Sequence, residues 1–255
     1  FSHGFTILAN YTFSHSIDDL PFGQSVTTAS LANAGGSSLA SPILWFQPGR
    51  HAFDRGPSEF DHTNRFVTSF VYQAPKLAKS NTLVRYALGG WQISGIIQAQ
   101  SGSPLTVLAG KDLSGSALGA DRGVYNSALS PYGVSNCGTL AHCKNYMNIA
   151  AFSLPAQGTI GSVGKGQFRG PRYTNLDAGL FKESPFFTER LHLQFRAEFF
   201  NVFNHNNLFN PGLASTDTSG NGIVAKGVNL SATGAGGVRA GFDPRIGQLA
   251  LKLLF

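Results

Sequence analysis

Six stretches of this sequence place apolar side chains on every second residue, and the spacers between them are alternately long and short. A period of two is the pattern of a β-strand with one apolar and one polar face. The first strand sets Phe5, Ile7, Ala9, Tyr11 and Phe13 against Thr6, Leu8, Asn10, Thr12 and Ser14. The second sets Phe66, Thr68, Phe70 and Tyr72 against Arg65, Val67, Ser69, Val71 and Gln73, and the third sets Trp91, Ile93, Gly95, Ile97 and Ala99 against Gln92, Ser94, Ile96, Gln98 and Gln100. A shorter fourth opposes Leu176, Ala178 and Leu180 to Asn175, Asp177, Gly179 and Phe181. The fifth is the clearest: Leu191, Leu193, Phe195, Ala197 and Phe199 alternate with His192, Gln194, Arg196 and Glu198, with no charge in the apolar phase. The sixth puts Leu249, Leu251, Leu253 and Phe255 in one phase and Gln248, Ala250 and Lys252 in the other.

Alternation alone fits any half-buried sheet, so the connections decide. Long spacers run from Ser16 to Asn64, Gly102 to Thr174 and Asn204 to Pro244, while short ones run from Ala74 to Gly90 and Ser184 to Arg190. Outer-membrane barrels have this rhythm, with long external loops and short periplasmic turns. The expected fold is therefore all-β: an antiparallel up-and-down transmembrane β-barrel segment with long extracellular loops. Residues 1–255 would form about six C-terminal strands of a larger barrel, in contact with the lipid of the cell outer membrane of a Gram-negative bacterium. Odd strands would run outward and the chain would end on the periplasmic side. The competing class is a soluble all-β module presenting a carbohydrate-binding or adhesin surface on its loops.

Composition bears on the excluded classes. No apolar run approaches the roughly 18 residues of a spanning helix, and a mean hydropathy near zero is what alternating strands average to. With 31 glycines, 21 phenylalanines and 13% charged residues, the chain favours strands and loops over helices. The formal charge of +6 is scattered without a basic run, so nucleic acid is not an expected partner. A start at Phe1 reads as a fragment, and the absence of a signal peptide carries no meaning.

If the apolar phases face lipid, the opposite phases face the lumen. Asp177, Gln194, Arg196, Glu198 and Lys252 are then the candidate lumen-facing residues, forming a charge network on the inner wall or touching a ligand directly. Tyr11, Phe13, Tyr72 and Trp91 fall near strand ends, where aromatic rings favour the membrane interface. Lys182 breaks the apolar phase of the fourth strand, and near the periplasmic rim it can extend its amine to water.

Several segments have a familiar order. Phe53-Asp54-Arg55-Gly56-Pro57-Ser58-Glu59-Phe60-Asp61 leads into the second strand, and Gly89-Gly90-Trp91-Gln92-Ile93-Ser94-Gly95 opens the third, followed by Ser101-Gly102-Ser103-Pro104-Leu105-Thr106-Val107. Arg169-Gly170-Pro171 precedes Asn175-Leu176-Asp177, Arg190 to Asn204 continues into His205-Asn206-Asn207, and Asp243-Pro244-Arg245 precedes the last strand. Together these resemble the C-terminal barrel region of TonB-dependent receptors of the Oar-like kind, whose N-termini carry a carboxypeptidase-regulatory-like domain. The resemblance covers most of the chain outside parts of the long loops. It implies a barrel of about 22 strands with a plugged lumen, which takes up or binds a large ligand and is energised by TonB through an N-terminal segment absent from these residues. The ligand itself is not implied. Leu249, Leu251, Leu253 and Phe255 look like the C-terminal signal read by the barrel-assembly machinery, which recognises an apolar strand by strand addition at a sheet edge.

Other chemistry is sought with less return. Cys137 and Cys143 enclose a short polar loop and read as a disulfide in an oxidising compartment; a metal site with His142 would want a fourth ligand. Gly161-Ser162-Val163-Gly164-Lys165-Gly166 resembles a nucleotide loop but has Thr159 and Gly166 where the motif needs glycine and Ser or Thr, so it reads as a flexible external loop. Asp217 to Gly222 imitates a calcium loop, yet its twelfth position is Val228 rather than glutamate. Asp54, Glu59 and Asp61, near Arg55 and Arg65, read as a salt-bridged rim rather than paired catalytic carboxylates. The histidines are scattered, no serine elbow is present, and the expectation is a non-enzyme without cofactors.

Overall fold

A computed structural model describes residues 4–18, 55–58, 60–77, 81–109, 111, 113–115, 121–135, 137, 144–186, 188–211, 228–229, 237–238 and 241–255. All six alternating segments are strands: β1 (Phe5–Phe13), β2 (Asn64–Gln73), β3 (Trp91–Gln100), β4 (Tyr173–Phe186), β5 (Thr188–Phe200) and β6 (Ile246–Leu254). They form one antiparallel sheet in chain order, with β1 and β6 as its two edges; the sheet is open. A 10-residue strand rising about 3.3 Å per residue and tilted about 40° spans roughly 25 Å, the height of a lipid-facing band.

The register brings the six apolar phases onto one face. One row reads Phe5, Tyr72, Ile93, Leu180, Ala197 and Leu249 across all six strands, and the next reads Ile7, Phe70, Gly95, Ala178, Phe199 and Gly247. Because cross-strand partners share a face, a one-residue slip in any pairing would have broken both rows. Within the second row aromatic rings cover glycines: a Cβ on Gly95 would lie 2.6 Å from the Phe70 ring. Among the described residues no protein layer covers this face. Leu249 and Leu251 are 71% and 68% exposed, and Ile7, Tyr11 and Phe13 are exposed as well. Ala197 differs, for it is only 4% exposed between its partners Leu180 and Leu249.

The short links are more structured than their sequences show. Strand pairing continues into the Ser184 to Arg190 link, with a register shift between Pro185 and Phe186. A bulge tolerates a proline, which has no amide to donate. The Ala74 to Gly90 link holds a helix, α1 (Thr82–Leu88), whose N-cap Asn81 accepts from the Val84 amide at 2.9 Å. Lys182 meets the other end of that helix. Its Nζ donates to the carbonyls of Gly89 at 2.8 Å and Ala87 at 3.3 Å and lies 4.9 Å from the Trp91 ring centroid. A lysine in the apolar phase is thus taken up at a helix C-terminus, where a cation is favoured.

The buried apolar core lies outside the sheet. Leu105, Val107, Met147, Ala151, Phe152, Val163 and Phe168, all between β3 and β4, pack together with Tyr125 and Tyr146 against them. Tyr125, Phe152 and Phe168 meet pairwise with ring centroids 5.1 to 5.4 Å apart. The expectation of a flexible loop at Gly161 to Gly166 is corrected here. Val163 is fully buried in this core, and Lys165, 4% exposed, is ion-paired to Asp18 from the preceding long loop. Short two-residue ladders hold the assembly together, among them Pro104–Leu105 with Phe168–Arg169 and Val107–Leu108 with Val228–Asn229.

Candidate functional site

All three long loops leave the same end of the sheet, and there their described parts join in one cap. Its strongest tie joins the first loop to the second. The Asp61 side chain is fully shielded from solvent and accepts from the Ser16 amide at 2.8 Å, from Arg169 Nη2 at 2.5 Å and makes a 3.1 Å bond with His15 Nδ1. Arg169 Nη1 also donates to the Asp61 carbonyl at 3.0 Å. Burial alone would raise the Asp61 pKa; the Ser16 amide, Arg169 and His15 outweigh it and hold the carboxyl below its ordinary value. The expected rim pairing with Arg55 or Arg65 is therefore corrected, since the partner is Arg169, 108 residues away. Asp54 and Glu59 lie outside the described residues.

The second loop is tied to the third. Val107 and Leu108 run parallel to Val228 and Asn229, and Lys144 and Val238 exchange backbone hydrogen bonds, both 2.8 Å. Below them, buried Asn207 stands in for a strand neighbour: its Oδ1 accepts from the Thr174 amide at 2.9 Å and its Nδ2 donates to the Thr174 carbonyl at 2.8 Å. Asn201, in the left-handed region at φ 51°, turns the chain out of β5; its amide donates to Asp177 Oδ1 and its Nδ2 to the carbonyls of His205 and Asp243. Gly102 and Gly170 cross so closely that a Cβ on Gly102 would overlap the Gly170 carbonyl. Several segments with the familiar order thus meet where the cap joins the sheet.

Between cap and sheet lies a half-open cleft of about 560 Å³, lined by residues that include Asn64, Ser101, Tyr132, Asn145, Tyr146, Arg169 and Arg172. The two tyrosines pack edge to face at 5.5 Å. Burial, then the neighbouring Tyr132, raises the Tyr146 pKa above its ordinary value of 10, with Arg172 acting the other way, so the phenol stays neutral. Its residues are scattered from Thr63 to Arg172; Ser101, Gly102, Arg169 and Gly170 belong to the familiar segments, but nothing in the sequence brings them together with Tyr132, Asn145 and Tyr146.

The candidates Asp177, Gln194, Arg196, Glu198 and Lys252 share the face opposite the apolar one. Arg196 Nε donates to Gln194 Oε1 at 2.9 Å and its guanidinium lies 5.6 Å from the Phe181 ring centroid. Glu198 accepts from Gln248, and His192 lies 3.2 Å from Glu183. Asp177 is engaged at the cap base by Asn175 and Asn201, and Lys252 sits opposite Gln194 in register. A hollow of about 370 Å³ on this face is lined by Ser69, Ser94, Ile96, Asp177, Phe181 and Glu198 among others.

In the outer part of the second loop Cys137 is disulfide-bonded; Cys143, the chain's other cysteine, lies outside the described residues, as do His142 and the Asp217 to Gly222 segment. Leu249, Leu251 and Leu253 lie on the exposed apolar side of the edge strand β6, and Phe255 follows its end, fully exposed.

An open antiparallel sheet with one uncovered apolar face, and all long loops at one end, is the wall of a membrane barrel. The family model for the outer membrane beta barrel domain matches residues 1–245. The chain belongs to this family. Comparison with curated proteins and with solved structures returns no match. As an outer membrane β-barrel of a Gram-negative bacterium, the protein has its cap on the extracellular side and its short links on the periplasmic side. A closed, soluble fold would have favoured the soluble carbohydrate-binding or adhesin alternative; the sheet is open with a bare apolar face, and the family is a membrane barrel.

Proposed function

We propose that the chain is the C-terminal barrel portion of a TonB-dependent receptor of the Oar-like kind, which captures a large ligand at the cell surface and passes it inward through a plugged lumen. The observation that carries this reading is the cap. The described parts of three long loops are cross-tied through Asp61 to Arg169, Asp18 to Lys165 and Val107 to Val228, so they form one joined unit at the end of the sheet. A rigid, pre-organised surface binds at lower entropic cost than free loops do. The order of the familiar segments supports the Oar-like assignment. Asp177, Gln194, Arg196, Glu198 and Lys252 serve as polar lumen wall, facing the plug and the ligand path. The protein acts by binding and passage rather than by catalysis and takes no cofactor. Its partners are outer-membrane lipid, the barrel-assembly machinery, which engages Leu249, Leu251, Leu253 and Phe255, and TonB, reached through the N-terminal segment.

The test is retention of the full-length protein, extracted from outer membranes in mild detergent, on immobilised TonB periplasmic domain. Specific retention is expected. Failure to bind, with the barrel still shifting its gel migration on heating, would refute the TonB reading while leaving the barrel intact.

A further inference from the structure

The cleft under the cap lies on the lipid side of the wall. Asn64, part of its lining, is the register partner of Phe13, and its Oδ1 accepts from the Tyr11 hydroxyl at 2.7 Å. Tyr11 and Phe13 both belong to the apolar, exposed phase, so the cleft begins where the lipid-facing surface of β1 and β2 ends, at the extracellular rim. In an outer membrane that height is occupied by the phosphorylated sugars of the outer-leaflet glycolipid, lipopolysaccharide.

The charged and amide groups left over in the cleft are donors. The Tyr132 hydroxyl donates to the Arg169 carbonyl and accepts from the Arg169 amide, and the Tyr146 hydroxyl donates to the same carbonyl. Asn64 Oδ1 is taken by Tyr11 and Asn145 Oδ1 by the Ser135 amide. What remains are the side-chain NH2 groups of Asn64 and Asn145, the hydroxyls of Thr63 and Ser101, which can donate as well as accept, and the guanidinium of exposed Arg172, which makes no hydrogen bond or ion pair among the described residues. No carboxylate is among the residues lining the cleft, and Asp61, two residues before Thr63 of that lining, is engaged by Arg169. Donors around an unpaired guanidinium, beside tyrosine rings, suit a phosphate on a sugar. About 560 Å³ falls within the range of small-molecule sites.

We propose that this cleft seats a phosphorylated saccharide headgroup of lipopolysaccharide, with Arg172 on the phosphate and Asn64 and Asn145 on phosphate or sugar oxygens. The site is separate from the lumen path and does not depend on coupling to TonB.

The experiment uses the full-length protein in detergent micelles and measures retention of three probes by native mass spectrometry: bis-phosphorylated lipid A, lipid A with both phosphates removed, and the deacylated bis-phosphorylated disaccharide. Lipid A should be retained, and Arg172→Gln should weaken its retention about tenfold, the loss of a charge-assisted contact. Arg65→Gln, at the same rim on the opposite face, should leave it unchanged. Equal retention of the dephosphorylated lipid, equal effects of the two variants, or no retention at all would overturn the proposal. Binding of the free disaccharide as tight as that of lipid A would overturn the headgroup assignment in favour of a soluble phosphosaccharide.

Discussion

Asp61→Asn probes the cap with a nearly isosteric change. The carboxylate is fully shielded and takes hydrogen bonds from Ser16, Arg169 and His15. Asparagine can still accept from the Ser16 amide through Oδ1, but its amino group then points at the Arg169 guanidinium, donor against donor. Losing a charged hydrogen bond costs about 1.5–3 kcal/mol. Part returns as water reaches Arg169, whose side chain is 32% exposed, leaving a loss of about 2 kcal/mol. That shifts the opening equilibrium of the cap about 30-fold. Hydrogen exchange on the folded full-length protein reads this directly: the Ser16, Ser58 and Gly170 amides should exchange about 30-fold faster, while β3 and β4 keep their protection. The pH dependence follows from the depressed pKa of Asp61. The tie stabilises the cap above the carboxyl's unfolded-state pKa and is lost as pH falls through the lower folded value. Wild-type cap exchange, corrected for intrinsic rates, should therefore rise only in strong acid, and the Asn variant should lack that step. Unchanged cap exchange in the variant, or an effect confined to the strands, would refute the role assigned to Asp61.

The facing assignment is tested on β6, where Leu251 is exposed on the apolar side and Ala250 on the other. In bilayer folding Leu251→Arg should cost about 2–4 kcal/mol and Ala250→Arg much less; equal costs would contradict the lipid face. Cysteines placed at 251 and 195 should take a lipid-soluble label and refuse a water-soluble one, with the reverse at 194; Ala197 is too well covered to serve. Cys137 and Cys143 should react with maleimide on intact cells only after reduction, and labelling without reductant would refute a surface disulfide.

The strands were legible because a barrel wall has a period of two that local sequence carries. The apolar phases read separately from Phe5, Phe66, Trp91, Leu176, Leu191 and Leu249 fall on a single face. The cap was not legible, because its core depends on ladders of two residues, too short to show any period. Its ion pairs join residues 108 and 147 positions apart, and sequence proximity pointed Asp61 instead to Arg55 and Arg65. Helix α1 is only 7 residues long, and Asn81 was its one local signal. Ala197 was placed on the correct face, but its burial follows from the partners on both sides, which only the register supplies.

Because the cap is knit from three loops whose ends are set by different hairpins, it gauges how those hairpins are aligned. A slip of one residue displaces a strand by about 3.3 Å and turns its side chains to the other face. Such a slip between β2 and β3 would carry Asp61 away from Arg169, whose bond spans 2.5 Å. A misaligned wall is left with an unlatched cap, its apolar core open to water and to surface proteases. Alignment within the bilayer is thus coupled, through the bond of Asp61 to Arg169, to closure of the cap outside it.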